Sequence, residues 1–206
     1  MAIEPVRRSD FTQSVVHLTR DRHEYHEETP AEMLGLQPKR LKQVVPAYEV
    51  LKEIIRTGVL KASGNEGFVK GKQKAVCFSE IPLSAIREYA IPPEEKTGRY
   101  RFHGIALSKR TVFGIGGRPV IYIPDSEADW IPDDQKWRQV RFEYGSVDFT
   151  HEREWRIPGH VDLTKVPGLY VLVWSTDEAR ELETFPSPVS KLVRGILPME
   201  PITTIL

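Results

Sequence analysis

Polar and apolar side chains alternate in the stretch His151-Glu152-Arg153-Glu154-Trp155-Arg156-Ile157. Alternation with a period of two predicts a β-strand with two different faces. On such a strand Glu152, Glu154 and Arg156 share one face, with the two carboxylates about 7 Å apart along the chain. Like charges so close indicate an acid/base or electrostatic site. The alternative is an exposed pair that Arg156 and solvent neutralise.

The sequence on both sides of this stretch predicts further short strands and few helices. Strands are expected at 14–19, 74–79, 100–107, 120–123, 168–174 and 191–197, followed by a tail that adds an edge strand. Helices are expected at 46–57, where apolar residues recur at helical spacing before Gly58, and at 83–90. Residues 20–45 are polar and form a charged insertion, partly helical after Pro30. We expect one α+β domain over residues 1–206 with a largely antiparallel sheet.

Composition places the chain among soluble intracellular proteins. It has 206 residues, 29 basic and 29 acidic, so no global basic field indicates nucleic acid. Its single cysteine, Cys77, has no intrachain disulfide partner and lies in an apolar run, which is typical of a small buried side chain. Neither a signal sequence nor a membrane-spanning run is visible, so we expect a cytoplasmic protein without membrane contact.

Two patterns that suggest ligand sites are weak here. The stretch Gly114-Ile115-Gly116-Gly117 lacks the full dinucleotide fingerprint and leads into a strand, so it predicts a hairpin turn. His23 and His26 lie three residues apart among glutamates, without the further ligands that a tetrahedral zinc site needs. A solvated charged surface is the better interpretation, and no metal site is expected.

Polar residues interrupt two otherwise apolar strands. His17 and Thr19 project to the same face of the strand at 14–19, and both side chains can donate and accept hydrogen bonds. They form either a ligand-binding pair or a buried pair that satisfies itself. Ser79 is a third polar group, at the end of the strand at 74–79.

Taken in order, these segments resemble a known family. The segment Cys77-Phe78-Ser79-Glu80-Ile81-Pro82-Leu83 and the segment Glu152-Arg153-Glu154-Trp155-Arg156 look like the corresponding segments of the bacterial abortive-phage-infection (AbiG-type) family. The resemblance covers residues from about 15 to about 200, and these two segments are its most specific parts.

The layout is similar, more distantly, to the ADP-ribosyltransferase fold, including DNA-modifying toxins of the DarT type. That resemblance implies a split, largely antiparallel sheet that binds NAD as a substrate. It implies that His17 and Thr19 bind NAD, with His17 also serving catalysis, and that Ser79 and Glu152 contribute to the same site. It makes Glu154 the catalytic glutamate. DarT toxins carry an arginine shortly after the central strand. In this chain the first arginine after the strand at 74–79 is Arg87.

The residue types at these positions suit the reaction that the resemblance implies, the transfer of ADP-ribose from NAD. Cleavage of the nicotinamide–ribose bond passes through an oxocarbenium-like state, as glycoside cleavage does, which a fixed carboxylate such as Glu154 stabilises. Tyr48, Tyr89 and Tyr122 are candidates to stack on nicotinamide, and Tyr89 is preferred because it follows the central strand. We expect Glu154→Ala to abolish transfer and leave the fold intact. The function implied is ADP-ribosyl transfer to a macromolecule, with nucleic acid favoured, by a bacterial toxin or phage-defence effector.

Two other functions remain open from the sequence. The chain could be a non-catalytic interaction module of abortive-infection or antitoxin type that binds a toxin or a nucleic acid. It could also be a magnesium-dependent nuclease using Asp148, Glu152 and Glu154, because carboxylates close together suit a divalent metal. An interaction module need not bind NAD, whereas a transferase must. The nuclease ranks third.

Overall fold

The computed structural model describes residues 12–64, 68–86, 90 and 100–205. Short strands dominate these ranges. In chain order they are β1 Ser14–Leu18, β2 Arg22–Tyr25, β3 Leu41–Val45, β4 Val59–Leu60, β5 Ala75–Phe78, β6 Gly104–Ser108, β7 Arg118–Pro119, β8 Ile121–Ile123, β9 Gln139–Arg141, β10 Trp155–Pro158, β11 Val161–Asp162, β12 Leu169–Val173 and β13 Val193–Pro198.

The α-helices whose bounds lie within the described residues are short and spread along the chain. They are α1 Pro30–Met33, α2 Ala47–Thr57, α3 Lys109–Gly114, α4 Thr176–Glu183 and α5 Met199–Ile205. Single turns of 3₁₀ helix lie between them, among them Leu83–Ala85 and Thr150–Glu152. Within the described ranges, every helix is too short or too polar to cross a lipid bilayer.

Two small sheets form the centre of the molecule. The first has four strands in the order β1-β6-β12-β13, antiparallel except for the parallel pair β12 and β13. The second is antiparallel and has the order β5-β10-β7. Two-stranded pairs surround them: β4 with β11, β2 with β3, and β8 with β9. The expected α+β class with mostly antiparallel strands is confirmed.

Both faces of the four-stranded sheet are buried, because alternate residues of its strands enter two different clusters. Val15, Ile105 and Val171 on one face pack with Leu51 and Ile55 of α2. On the other face, the cluster consists of Val16, Leu18, Ala106 and Leu172 with Ile81, Ile86, Phe102 and Met199. A sheet covered on both sides gives its strand ends a fixed position.

The helix expected at 46–57 is confirmed as α2. Its buried residues recur at helical spacing, so one side of the helix faces the sheet. It ends at Gly58, whose φ of 68° is the left-handed conformation that closes many helices. The Gly58 amide donates to the Ile54 carbonyl at 2.8 Å.

Residues 20–45 form an arm made of β2, α1 and β3. The arm is helical after Pro30, where α1 begins with Thr29 and Glu32 in a reciprocal capping box. Strands β2 and β3 pair with each other, and Arg22 Nη1 ties the arm to α2 through Glu53 Oε2 at 2.8 Å. Most residues of these two strands are exposed.

Three sequence-based expectations are wrong in detail. The glycine-rich stretch 114–117 does not join two strands, because Gly114 ends helix α3 and the chain then leads into β7. The tail after β13 is helix α5 and adds no edge strand. The strand expected at 100–107 begins only at Gly104.

Candidate functional site

Among the described residues, one backbone bridge joins the two central sheets, and beyond it the strands are no longer hydrogen-bonded to each other. Val16 of β1 and Ser79, which directly follows β5, exchange two backbone hydrogen bonds of 2.9 and 2.8 Å. In a continuous ladder the next hydrogen-bonded pair would be Leu18 with Cys77. Among the described residues, Leu18 and Cys77 form no such pair. The sheet is therefore split between β1 and β5.

His17 fills the start of this split. Its Nδ1 lies 2.8 Å from the Cys77 carbonyl oxygen, and because a carbonyl only accepts, Nδ1 carries the proton. The imidazole thus replaces a backbone donor, and its Nε2 is left as an acceptor. Burial lowers the pKa of His17, and the Cys77 carbonyl opposes that shift in part. Gly104 makes room on the other side, since a Cβ there would lie 2.4 Å from the His17 carbonyl oxygen.

Glu154 lies at the same split but is held by an ion pair. Its Oε1 accepts from Arg156 Nε at 2.8 Å and its Oε2 from Arg156 Nη2 at 3.2 Å. Arg156 is 1% exposed and Glu154 8%, so the pair is buried rather than solvent-neutralised. Arg156 Nη1 also donates to the carbonyls of Trp137 and Gln139, at 2.8 and 3.1 Å. The guanidinium therefore fixes the orientation of the carboxylate.

Cys77 connects the two halves of the site. Its carbonyl accepts from His17, and it pairs across the sheet with Arg156, so its thiol lies against the Glu154–Arg156 pair. Burial raises the pKa of this thiol well above its ordinary value, and the Glu154 carboxylate raises it further. The thiol is therefore protonated at neutral pH and unreactive as a nucleophile, as expected for a buried cysteine.

Glu152 and Glu154 do not share a strand face, contrary to the sequence-based expectation. Strand β10 begins at Trp155, and Glu152 belongs to the 3₁₀ turn Thr150–Glu152. Between the two glutamates Arg153 adopts the left-handed conformation, with φ of 45° and ψ of 52°. That conformation interrupts the extended backbone, so the period-two alternation applies only from Glu154 onward.

Thr19 and Ser79, which were also expected at the site, differ in their burial and in their position relative to Glu154. Thr19 is 3% exposed, and its hydroxyl lies 3.1 Å from both the Ala47 and the His103 carbonyl oxygens, so it joins β1 to α2 and to the start of β6. Ser79 is half-buried, and extending the register of β5 and β10 by one step places it opposite Glu154. The Thr19 hydroxyl is therefore hydrogen-bonded inside the protein, as in the second alternative from the sequence, whereas Ser79 lies beside the Glu154 carboxylate.

Two tyrosines stand near Glu154, and only one was foreseen. The Tyr122 hydroxyl oxygen accepts from the Glu154 amide at 2.8 Å, and burial raises its pKa to about 12. Burial also raises the pKa of Tyr100 to about 12, and the carboxylates of Glu152 and Glu154 add to that shift. Nothing local in the sequence marks Tyr100, because it reaches the site only through the fold.

Arg20 is a second residue that the sequence does not reveal. It is exposed, directly follows Thr19, and its guanidinium carbon lies 6.0 Å from the centre of the Tyr100 ring.

Of the remaining candidates, Tyr48 lies elsewhere, where its hydroxyl donates a hydrogen bond to the Glu181 carboxylate at 2.9 Å. Tyr89 and Arg87 lie outside the described residues.

A metal-dependent nuclease receives no support from the geometry. Asp148 Oδ1 accepts from the Thr150 amide at 2.8 Å and from the Thr150 hydroxyl at 2.6 Å, so this carboxylate is used locally. Glu154 is paired with Arg156. Over the part of the chain that the structure describes, no three His, Cys, Asp or Glu side chains are grouped to hold a metal ion.

Comparisons of the chain with protein-family models, with curated proteins and with solved structures found no match. The fold defines an α+β protein whose two central sheets separate beyond a single backbone bridge.

Proposed function

We propose that the chain is an NAD-dependent ADP-ribosyltransferase with an ADP-ribosyltransferase-like split sheet. The observation that supports this most is the convergence of His17 and Glu154 on Cys77 where the two sheets part. A histidine acceptor, a fixed carboxylate and two tyrosines suit a ligand that carries hydroxyls and an aromatic ring. The resemblance to the DarT type points to the same residues.

The transfer step breaks the bond between C1′ of the nicotinamide ribose and the nicotinamide nitrogen. The bonding electron pair leaves with nicotinamide, which becomes neutral, and positive charge develops on C1′ and the ring oxygen. A nucleophilic atom of the acceptor then bonds to C1′ and loses its proton to a base or to water. Glu154 stabilises the developing positive charge. Its carboxylate lone pairs that Arg156 does not use accept a hydrogen bond from a ribose hydroxyl.

The other residues bind and orient the substrate. Nε2 of His17 accepts from a hydroxyl of the adenosine ribose, because Nδ1–H is committed to Cys77. The ring of Tyr122 or Tyr100 stacks on nicotinamide. Ser79 and Glu152 supply further polar contacts beside Glu154. Thr19 acts through the fold by holding His17's strand against α2, since its hydroxyl is used internally.

The proposal is tested by thermal unfolding with and without millimolar NAD, followed by an assay for nicotinamide release. Binding to the folded state raises the midpoint by mass action, by about a few degrees. Glu154→Gln should bind NAD and release little nicotinamide, and Glu183→Gln, which changes an exposed carboxylate on α4, serves as the matched control. An unchanged midpoint with no nicotinamide release would overturn the proposal.

The acceptor that we propose is a macromolecule, with nucleic acid favoured by the resemblance to the DarT type. The same resemblance, with that to the abortive-infection family, supports a bacterial cytoplasmic toxin or phage-defence effector that a partner protein controls. Radiolabelled NAD offered with single-stranded DNA, RNA and cell protein in separate reactions identifies the acceptor. Label that stays in free ADP-ribose in every reaction would contradict transfer.

A second candidate function is a non-catalytic module that binds a toxin or antitoxin protein. The observation that favours it is the internal use of polar groups: Thr19 bonds to two backbone carbonyls, and both Glu154 oxygens bond to Arg156. Such a module would show no NAD-dependent stabilisation.

A further inference from the structure

Glu80 is a buried glutamate that directly follows Ser79 at the split between the sheets. It is 7% exposed, and each of its oxygens has its own partner. Oε2 accepts from the indole Nε1 of Trp155 at 3.1 Å. Oε1 forms an ion pair with Lys109 Nζ, at the start of α3, at 2.6 Å. A carboxylate buried to this degree needs such partners to offset its lost hydration.

The same residue also holds the turn that precedes Glu154. The Glu80 amide donates to the Glu152 carbonyl at 2.9 Å, and Arg153 Nη1 lies 4.0 Å from Glu80 Oε1. Glu80 therefore contacts Glu152, Arg153 and Trp155, the residues on both sides of Glu154. The segments 77–83 and 152–156, distinctive in the sequence, are thus one structural unit.

The turn that Glu80 holds is strained. Arg153 is the only non-glycine residue with positive φ among the residues that the structure describes. The left-handed conformation places Cβ too close to the following carbonyl oxygen, so surrounding contacts must maintain it. Strain of this kind concentrates where a side chain has to be aimed. Here the next residue along the chain is Glu154.

We propose that Glu80 is a positioning residue for Glu154. Its carboxylate and amide keep residues 152–155 in the turn that directs the Glu154 carboxylate into the split between the sheets. The role in catalysis rests on the proposed transfer function, whereas the clamp on the turn can be measured without it. Glu80 itself touches no substrate.

Hydrogen exchange measured by mass spectrometry tests the clamp alone, in Glu80→Ala and Glu80→Gln. The peptide spanning residues 149–155 should exchange about tenfold faster in Glu80→Ala than in the wild type. Glu80→Gln keeps an acceptor for Trp155 but loses the charge, so its increase should be smaller. Glu32→Gln is the matched control, because it also changes a buried, ion-paired glutamate, in the arm. Unchanged exchange in Glu80→Ala would overturn the clamp.

Steady-state nicotinamide release, at a temperature where every variant is folded, tests the catalytic consequence. A loss of about tenfold in kcat with KM for NAD nearly unchanged is expected for Glu80→Gln, since binding groups stay in place while the carboxylate is misaimed. Glu32→Gln should match the wild type. A wild-type rate in Glu80→Gln overturns the positioning role alone. A wild type that releases no nicotinamide overturns the proposed function, and with it the catalytic part of the inference.

Discussion

The guanidinium of Arg156 donates two hydrogen bonds to the carboxylate of Glu154, at 2.8 and 3.2 Å, inside the protein. Removing one member of a buried ion pair leaves the other charge without compensation. Arg156→Ala also frees the carbonyls of Trp137 and Gln139. We expect this change to lower the free energy of unfolding by about 3–5 kcal/mol.

Urea unfolding followed by circular dichroism measures this loss. Arg180→Ala is the control, because Arg180 pairs with Asp177 on the surface of α4 and should matter by less than about 0.5 kcal/mol. Equal unfolding midpoints for the two variants would show that the Glu154–Arg156 pair does not stabilise the fold.

The same pair changes how Glu154 should be tested. The sequence suggests that Glu154→Ala leaves the fold intact, but that change strands the buried Arg156 charge. We expect Glu154→Ala to cost about 3–5 kcal/mol and Glu154→Gln distinctly less, because the amide oxygen still accepts from the guanidinium. Urea midpoints of the two variants, compared with the wild type, measure the difference. If the alanine variant is as stable as the glutamine variant, the guanidinium has another compensating partner.

The left-handed backbone of Arg153 predicts an unusual order of stability among its variants. Glycine adopts positive φ without the steric penalty that any side chain meets there, whereas alanine keeps the penalty. Arg153→Gly should therefore be about 1 kcal/mol more stable than Arg153→Ala, although glycine normally destabilises a fixed backbone. Both variants remove the same side-chain contacts, so their difference reports the strain minus the extra backbone entropy that glycine loses on folding. Thermal unfolding checks it, and the reverse order would contradict a strained turn.

Where local patterns dominate, the sequence predicts the structure well. The strand at 14–19 and the helix at 46–57 follow from β-branched residues and from helical spacing before Gly58. Helix α4 was missed, although Ser175 and Glu178 form the capping box that marks its start. The break at Arg153 could not be foreseen, since Glu80, which contacts this turn, is distant in sequence.

The residues of the candidate site also fall into two groups, those that the sequence reveals and those that only the fold reveals. His17 and Ser79 could be selected because they are polar residues within or at the end of apolar strands. Glu154 could be selected because of the neighbouring Glu152 and the resemblance to the DarT type. That Arg156 would neutralise a carboxylate was also foreseeable, but its burial was not, since Trp137 and Gln139 supply the carbonyls that satisfy it. Tyr100 begins a segment that was expected to form a strand, where an aromatic residue is ordinary, so only the fold reveals its place at the site.

Thr19 offers a way to separate a structural role from a binding role. Thr19→Val keeps the shape of the side chain but leaves the Ala47 and His103 carbonyls without their hydroxyl donor. We expect a loss of about 1–2 kcal/mol in the free energy of unfolding, with the NAD-dependent rise in midpoint retained. Thr19→Ser keeps the hydroxyl and controls for the methyl group. Loss of the NAD-dependent rise in Thr19→Val alone would place the hydroxyl in the binding site instead.

His17 should make the stability of the protein depend on pH. Burial lowers its pKa below the ordinary value of 6.5, so the folded state keeps a neutral ring where the unfolded state already binds a proton. Because the unfolded state then binds more protons, stability is full above pH 6.5 and falls as the pH drops toward the folded-state pKa.

His17→Asn places an amide donor near the position of Nδ1 and does not titrate. Urea midpoints between about pH 7.5 and about pH 5.5 should therefore fall less steeply for His17→Asn than for the wild type. His23→Asn, which changes an exposed histidine on the arm, should keep the wild-type slope. Identical slopes for all three proteins would mean that His17 is not held neutral at the split between the sheets.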